Sequence, residues 1–407
     1  MKRIKGVIGL MKPMGLMGLI GLIGLIGLMG CSGEDEHRTS QTIDLMNYMP
    51  TFYEVEDNEA NGPYGPWAIT RADWWPSGYV DYSTIYGASG MFKDQENIKD
   101  RSIGVFFVKN GTVLEGRFRY AAGQWRSSVE LEVGGYDLYG YIPAGGDIVT
   151  STALSPLNSD YANGAVLTLN GLSTVTPNDV CVIVGARHGT KTKTGDDDPV
   201  PVSPFQTGVC HVEIHAGAQG NYIFLLFDHI YSGIRFRFKV NGEYNALRTI
   251  KLKRLEMKGY KDDGLTTTVV KSKVNATITL KQNDTNSSPI TSVSIVPDET
   301  SSDVTTPIYD CGSGSPVVLS TDYSDFLGCF APNLCNKFAL TSTYDVYDTK
   351  GNLVRQNCTA TNTIDIRDYF PYGMTRGTMY TVRLTVNPTY LYMLSEPDLD
   401  NPTIDIN

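Results

Sequence analysis

Histidine and positive charge are both scarce in this chain. Five histidines are spread through 407 residues, and none stands in an H-E-x-x-H arrangement. No G-x-S-x-G surrounds a serine, no C-x-x-C occurs, and no glycine-rich loop opens a helical segment. The usual signatures of metalloproteases, serine hydrolases, thioredoxin-like redox proteins, zinc ribbons and nucleotide-binding enzymes are therefore missing. The expectation is a protein that is not an enzyme and uses no cofactor or metal. Lysine and arginine number 34 against 44 acidic residues, a net charge of −10. Four of the cations, Lys2, Arg3, Lys5 and Lys12, fall in the first dozen residues, so the rest of the chain is more acidic still. Such a surface repels phosphate backbones and anionic lipid, which argues against nucleic acid as a partner. Sustained helical periodicity is also missing, and with 41 glycines and 24 tyrosines the composition favours strands and tight turns.

The N-terminus reads as an address. Residues 1–12 are basic, and Met14 to Gly30 runs without a charge, with glycine at every third position from Gly15 to Gly30. This is the layout of a signal peptide over residues 1–30, its apolar stretch short for a membrane span. It ends in Leu28-Met29-Gly30-Cys31, which resembles a bacterial lipobox, so Cys31 is the expected site of acylation and of a lipid anchor in the outer membrane. The acidic Ser32-Gly33-Glu34-Asp35-Glu36 directly after it resembles the surface-export signal of Bacteroidetes lipoproteins. Export places the other six cysteines, Cys181, Cys210, Cys311, Cys329, Cys335 and Cys358, in an oxidising compartment. Their even number suits disulfides. Pairing within halves joins Cys181 to Cys210 and leaves the other four open.

Strand signals recur to the end of the chain. Ile234 to Val240 puts Ile, Phe, Phe and Val on one face and three cations on the other, as in a half-buried antiparallel strand. Asn241-Gly242 then reads as a two-residue turn. Ile250 to Met257 alternates but skips phase at Arg254, which predicts a β-bulge. Further strands are expected at Gly104–Val108, Val129–Val133, Asp137–Ile142, Val180–Val184, His211–His215, Tyr222–Phe227 and Ala276–Lys281, with more beyond Ser292. Tyr380, Val382, Leu384 and Val386 share one face of the last long strand, and Asp348 to Gly351 reads as a hairpin loop. Many short strands divided by turns predict an all-β fold of two β-sandwiches in series. The polar Lys261-Asp262-Asp263-Gly264 sets a boundary, with an N-terminal domain over residues 31–259 and a C-terminal domain over residues 260–407.

Individual candidates for chemistry are thin. His211 and His215 share a strand face but stand about 13 Å apart at strand rise, too far for one metal ion. His229 beside Asp228 reads as structural. Asp196-Asp197-Asp198 offers oxygen ligands to calcium, but without EF-hand spacing it reads as a solvated loop. Trp74 and Trp75 are candidate ligand-contact aromatics, the alternative being a place in a core or interface.

Several segments in order resemble the Bacteroidales fimbrillin family, the type V pilins. They are the lipobox with its acidic cluster, then Ala68-Ile69-Thr70-Arg71-Ala72, and then Ser102-Ile103-Gly104-Val105-Phe106 with Gly123-Gln124-Trp125 and Tyr136–Pro143. Last is Leu226-Phe227-Asp228-His229-Ile230, which leads into the strands that start at Ile234 and Ile250. The resemblance covers residues 1–260 best. It implies two tandem transthyretin-like antiparallel sandwiches, export to the cell surface, and cleavage after an arginine, Arg71 or Arg38. The leader up to about residue 71 would be removed, with Ile43-Asp44-Leu45 and Phe52-Tyr53-Glu54-Val55 as removable strands. A strand from another fimbrial subunit would fill the vacated groove by donor-strand exchange. The tail after Val386 is short and carries Pro388, Pro397 and Pro402, so a tip or accessory role is as well supported as a stalk role. The competing reading is a surface lipoprotein that binds glycans or a host ligand without polymerising.

Overall fold

In the computed structural model, residues 43–48, 53–55, 102–121, 124–146, 148–174, 179–190, 200–201, 210–216, 221–282, 289–369, 373–390 and 397–406 are described. The N-terminal stretch supplies β1 (Ile43–Tyr48) and β2 (Tyr53–Val55). Next come β3 (Ser102–Lys109), β4 (Thr112–Ala121), β5 (Gln124–Ser127) and β6 (Gly134–Ala144). After them are β7 (Ser151–Pro156), β8 (Gly164–Ser173), β9 (Cys181–Thr190), β10 (Val200–Pro201), β11 (His211–Ile214) and β12 (Asn221–His229). The chain continues through β13 (Ser232–Val240), α1 (Gly242–Asn245), β14 (Arg248–Asp262), β15 (Thr267–Val269), β16 (Lys273–Lys281) and β17 (Ile290–Pro297). Last are β18 (Thr306–Asp310), β19 (Val317–Leu319), β20 (Ser324–Phe330), β21 (Lys337–Asp348), β22 (Leu353–Asp365), α2 (Ile366–Tyr369), β23 (Thr378–Tyr390) and β24 (Pro397–Ile406).

These strands make four sheets that pack in two pairs, an all-β arrangement of two sandwiches. In the first, the sheet β1-β12-β9-β6-β3-β4-β5 faces the sheet β17-β16-β8-β7. Alternation along each strand sends Val182, Val184, Phe224 and Leu226 of one sheet against Leu167, Leu169, Ala276 and Ile278 of the other. In the second, β2-β23-β13-β20 with β24 faces β15-β14-β21-β22 with β18 and β19. Its core joins Phe236, Phe238, Val382 and Leu384 to Leu252, Leu255, Leu340 and Val346. The larger sheet is buried on its far face too, where Val105, Phe107, Leu138, Ile183 and Leu225 form a third core. Its edge strands β1 and β5 curl into contact, and β11 pairs with β6 where β6 runs free of β9.

Each sandwich is assembled from two stretches of chain. β13 and β14 belong to the second sandwich, whereas β16 and β17 return to complete the first. The boundary expected at residue 259/260 falls inside β14, a continuous strand. The polar run that suggests it is the loop of the β14–β15 hairpin, where Asp263 Oδ1 accepts from the Leu265 and Thr266 amides. Linker and tight turn share one composition, so sequence alone does not separate them.

The local readings fare better. Ile234, Phe236, Phe238 and Val240 are all buried, and the register shift between Leu252 and Arg254 is the expected bulge. β13 runs antiparallel to β20 and parallel to β23, so its ladder is mixed. Asn241-Gly242 is not a hairpin turn. Asn241 Oδ1 accepts from the Glu243 and Tyr244 amides and caps α1, the alternative use of asparagine at such a point. Val129–Val133 is not a strand, although Leu131 is buried. The Asp348–Gly351 loop is as expected, with Asp348 Oδ1 accepting from Lys350 N and Asn352 N and Gly351 at φ +83°.

Return of the chain to the first sandwich depends on close pairing of β8 with β16. Gly164 opens β8 at φ +125°, and a Cβ there would lie 2.0 Å from the Leu280 carbonyl oxygen. Gly164→Ala is expected to destabilise the protein by at least about 2 kcal/mol, from backbone strain and the forced separation of the two strands. Chemical denaturation against wild type measures it, and an unchanged midpoint would contradict the pairing.

Candidate functional site

The geometry that bears on function lies at the two edges where the N-terminal segment joins the sandwiches. β1 pairs in parallel with β12 over six residues, Ile43 opposite Asn221 through Tyr48 opposite Leu226. β2 pairs in parallel with the start of β23, Tyr53 opposite Thr378 through Val55 opposite Tyr380. One short stretch of chain thus supplies an edge strand to each sandwich. Parallel pairing is slightly the weaker kind per residue, and a ladder three residues long at β2 holds little by itself. The anchor in β1 is Leu45, 4% exposed, inserted into the third core beside the β12 residues Ile223, Leu225 and Phe227.

Without β1, β12 keeps β9 as its only partner among the described residues and presents a row of open N–H and C=O groups. The side chains along that row, Ile223, Phe224, Leu225 and Leu226, are 0–1% exposed. β1 therefore docks on an apolar strand with a hydrogen-bonding edge, the combination that strand addition uses. In the second sandwich, β23 holds β2 at its start and β24 at its end, along the same edge.

The tail is engaged within its own fold. β24 pairs antiparallel with β23, from Leu384 opposite Ile406 to Tyr390 opposite Pro397, and the register breaks between Asn387 and Thr389, where Pro388 sits. Tyr244 Oη donates to Leu399 O at 2.8 Å and Tyr344 Oη to Pro402 O at 3.2 Å. Arg248 reaches Asp400 at 3.0 Å. Of the prolines that argue against a donating tail, Pro397 and Pro402 sit in the edge strand β24, where the missing N–H costs no ladder bond to a neighbour beyond, and Pro388 sits in β23.

The other expected site residues are scattered. Cys31 and Arg38, and likewise Arg71, Trp74 and Trp75, lie outside the described residues, as does Asp196 to Asp198. The six cysteines Cys181, Cys210, Cys311, Cys329, Cys335 and Cys358 are all free thiols. Cys210 is bridged to Ala186 rather than set against Cys181, and strand rise over those five residues separates the two by roughly 16 Å. His211 bridges Asp137 and Glu213 at 3.1 Å each, and its hydrogen bond to Asp137 first, then that to Glu213, holds its pKa above the usual value. His215 meets the ring of His188 at 5.5 Å, not His211. Burial and then the His215 ring lower the His188 pKa.

A second cluster lies where β9 and β12 meet the second sandwich. Cys181 and His229 are direct cross-strand partners. Their side chains meet at 3.3 Å between Sγ and Nδ1. Asp179 stands two residues before Cys181, and its Oδ2 accepts from Cys181 Sγ at 3.2 Å and from His229 Nδ1. All three side chains are buried. Next to them Asp228 is held by Arg376 at 2.6 Å, whose guanidinium also donates to the His229 carbonyl. Pattern reading misses Asp179 and separates Cys181 from His229, because they stand 48 positions apart in sequence and only strand register joins them.

No protein-family model matches the chain, and no curated protein matches it. Solved structures similar to it are Bacteroides proteins. A candidate cell-adhesion protein from Bacteroides fragilis is 10% identical, at a TM-score of 0.39, over 90% of this chain and 97% of its own. One from Bacteroides ovatus is 12% identical, at 0.33, over 91% and 97%. A fimbrial protein from Bacteroides vulgatus is 13% identical, at 0.34, over 75% and 91%. At such scores function is read from strand order and register, and not from the likeness.

Docking of β1 is expected to depend on Leu45. Leu45→Ala removes a buried side chain at a cost of about 2–4 kcal/mol, borne by a six-residue edge strand. The expected result is faster cutting of the N-terminal segment by a broad-specificity protease, with the second sandwich unaffected. Equal cutting rates would contradict the pairing of β1 with β12.

Proposed function

We propose that this protein is a subunit of a cell-surface fimbria, carried to the outer membrane as a lipoprotein on Cys31 and supporting adhesion. Removal of its N-terminal segment opens strand-accepting slots, and another subunit's strand fills them. The observation that carries this reading is the placement of β1 and β2, two short parallel edge strands ahead of Arg71, one in each sandwich. While covalently attached they are held at high effective concentration. A cut beyond β2 turns their binding into a bimolecular event, and a few ladder bonds then hold poorly.

The position of the cut matters. Cleavage after Arg38 leaves both strands attached, whereas cleavage after Arg71 frees them together, so Arg71 is the productive site. The docked β24 favours a tip or accessory subunit, which accepts a strand, over a stalk subunit, which must also donate one. Strand donation of this kind is head-to-tail and propagates into a filament, and a non-donating subunit ends it.

Digestion of the mature protein with an arginine-specific protease tests the reading, with intact mass and oligomer size tracked over time. The expected product is cut after Arg71, loses residues 43–55, and stays monomeric until an alternating apolar peptide is added. Spontaneous laddering would reassign it to the stalk. Resistance at Arg71 with a persistent intact monomer would overturn strand exchange and favour the glycan- or ligand-binding lipoprotein.

A further inference from the structure

We propose that Asp179, Cys181 and His229 form a buried site for a divalent, zinc-type metal ion at the joint between the two sandwiches. Among the described residues this is the one group of three acidic, cysteine or histidine side chains whose donor atoms all lie within 4.8 Å of one another. The donor set is chemically coherent, since thiolate, imidazole and carboxylate are the ligands a borderline-soft ion accepts.

The spacing fits as well. Metal bonds of about 2.3 Å to sulfur and about 2.0–2.1 Å to nitrogen or oxygen, at the tetrahedral angle, put sulfur roughly 3.6 Å from either partner atom. Cys181 Sγ stands 3.3 Å from His229 Nδ1 and 3.2 Å from Asp179 Oδ2. Nδ1 and Oδ2 are closer than a shared ion permits, so the carboxylate turns to offer Oδ1. That atom is buried and has no hydrogen-bond partner. An acceptor left open in a dry interior is costly, and a metal bond removes the cost.

Charge points the same way. The three side chains are buried, so any charge on them must be balanced locally. Arg376 already serves Asp228. Binding is an exchange in which the thiol proton leaves Sγ for solvent as the metal–sulfur bond forms. The imidazole gives up the Nδ1 proton it shares with Asp179 before the metal binds, holds a proton on Nε2 instead, and so offers the Nδ1 lone pair. Two positive charges then meet thiolate and carboxylate, and the loaded site is neutral, as an apolar interior requires. Asp179 bears electrostatically on both the Tyr231 hydroxyl and the Cys329 thiol, and Cys329 on Tyr231. Tyr231 Oη is itself buried without a partner. β20 carries Cys329, so an ion held on β9 and β12 sits against the second sandwich and stiffens the joint.

Because the ligands are enclosed, the ion enters during folding. The test refolds the mature protein under reducing conditions with Co2+, removes excess metal, and measures bound cobalt and thiolate-to-cobalt charge-transfer absorption. One equivalent with that absorption is expected in wild type and in Cys210→Ser and Cys335→Ser, and Zn2+ should displace it and raise the melting temperature. Cys181→Ser should abolish the absorption, and His229→Gln and Asp179→Asn should weaken retention, with circular dichroism verifying that each variant folds. Folded wild type with only substoichiometric cobalt, or absorption that survives Cys181→Ser, would overturn the site whatever the variants do.

Discussion

Backbone N–H and C=O groups along Asn221–Leu226 of β12 and Thr378–Tyr380 of β23 have one partner strand from the body of the fold and one from residues 43–55. A sheet edge in water tolerates open groups; an edge flanked by fully buried Ile223 and Leu225 does not, because whatever uncovers the backbone also uncovers the core. The rest of the architecture depends on that coupling. The large sheet is buried on both faces, so its curl closes only while β1 bridges β12 and β5. The link between β12 and β13 is two residues long, Ile230 and Tyr231, which ties the state of one sandwich to the other.

The joint is built to transmit rather than absorb that change. Asp228 and Arg376 make a part-buried ion pair across it, Ser232 Oγ donates to Thr375 O, and the Gly377 amide donates to Tyr231 O. Each bond connects the end of β12 or the start of β13 to the turn before β23, the strand on which β2 docks. Opening either breaks a polar network in a low-dielectric setting or moves both elements as a unit, and the second is cheaper. The edges on which β1 and β2 dock are therefore linked through one polar network, and an ion on Asp179, Cys181 and His229 would tighten it at its centre.

The features legible in the sequence are those that depend on neighbours along the chain. Alternation from Ile234 to Val240 and the phase skip at Arg254 are properties of one strand, and both appear in the structure. The strands β1 and β2 are visible for the same reason, as short alternating pieces of sequence. Their pairing is not, because parallel docking on β12 and β23 joins residues far apart in sequence and leaves no local trace. Asn241 shows the limit from another side, since a residue that suits a type I′ turn suits a helix cap equally. The same limit hides the Cys181–His229 pair and suggests a disulfide from cysteine number alone.

Amide hydrogen exchange before and after cleavage at Arg71 is the decisive measurement. If residues 43–55 close both accepting edges, Asn221–Leu226 and Thr378–Tyr380 are strongly protected in the intact protein. That protection is lost at both segments together once residues 43–55 are released, while β14 and β21 stay protected. Protection that persists at β12 and β23 after release would mean that the body of the fold closes these edges itself, and strand acceptance there would be wrong.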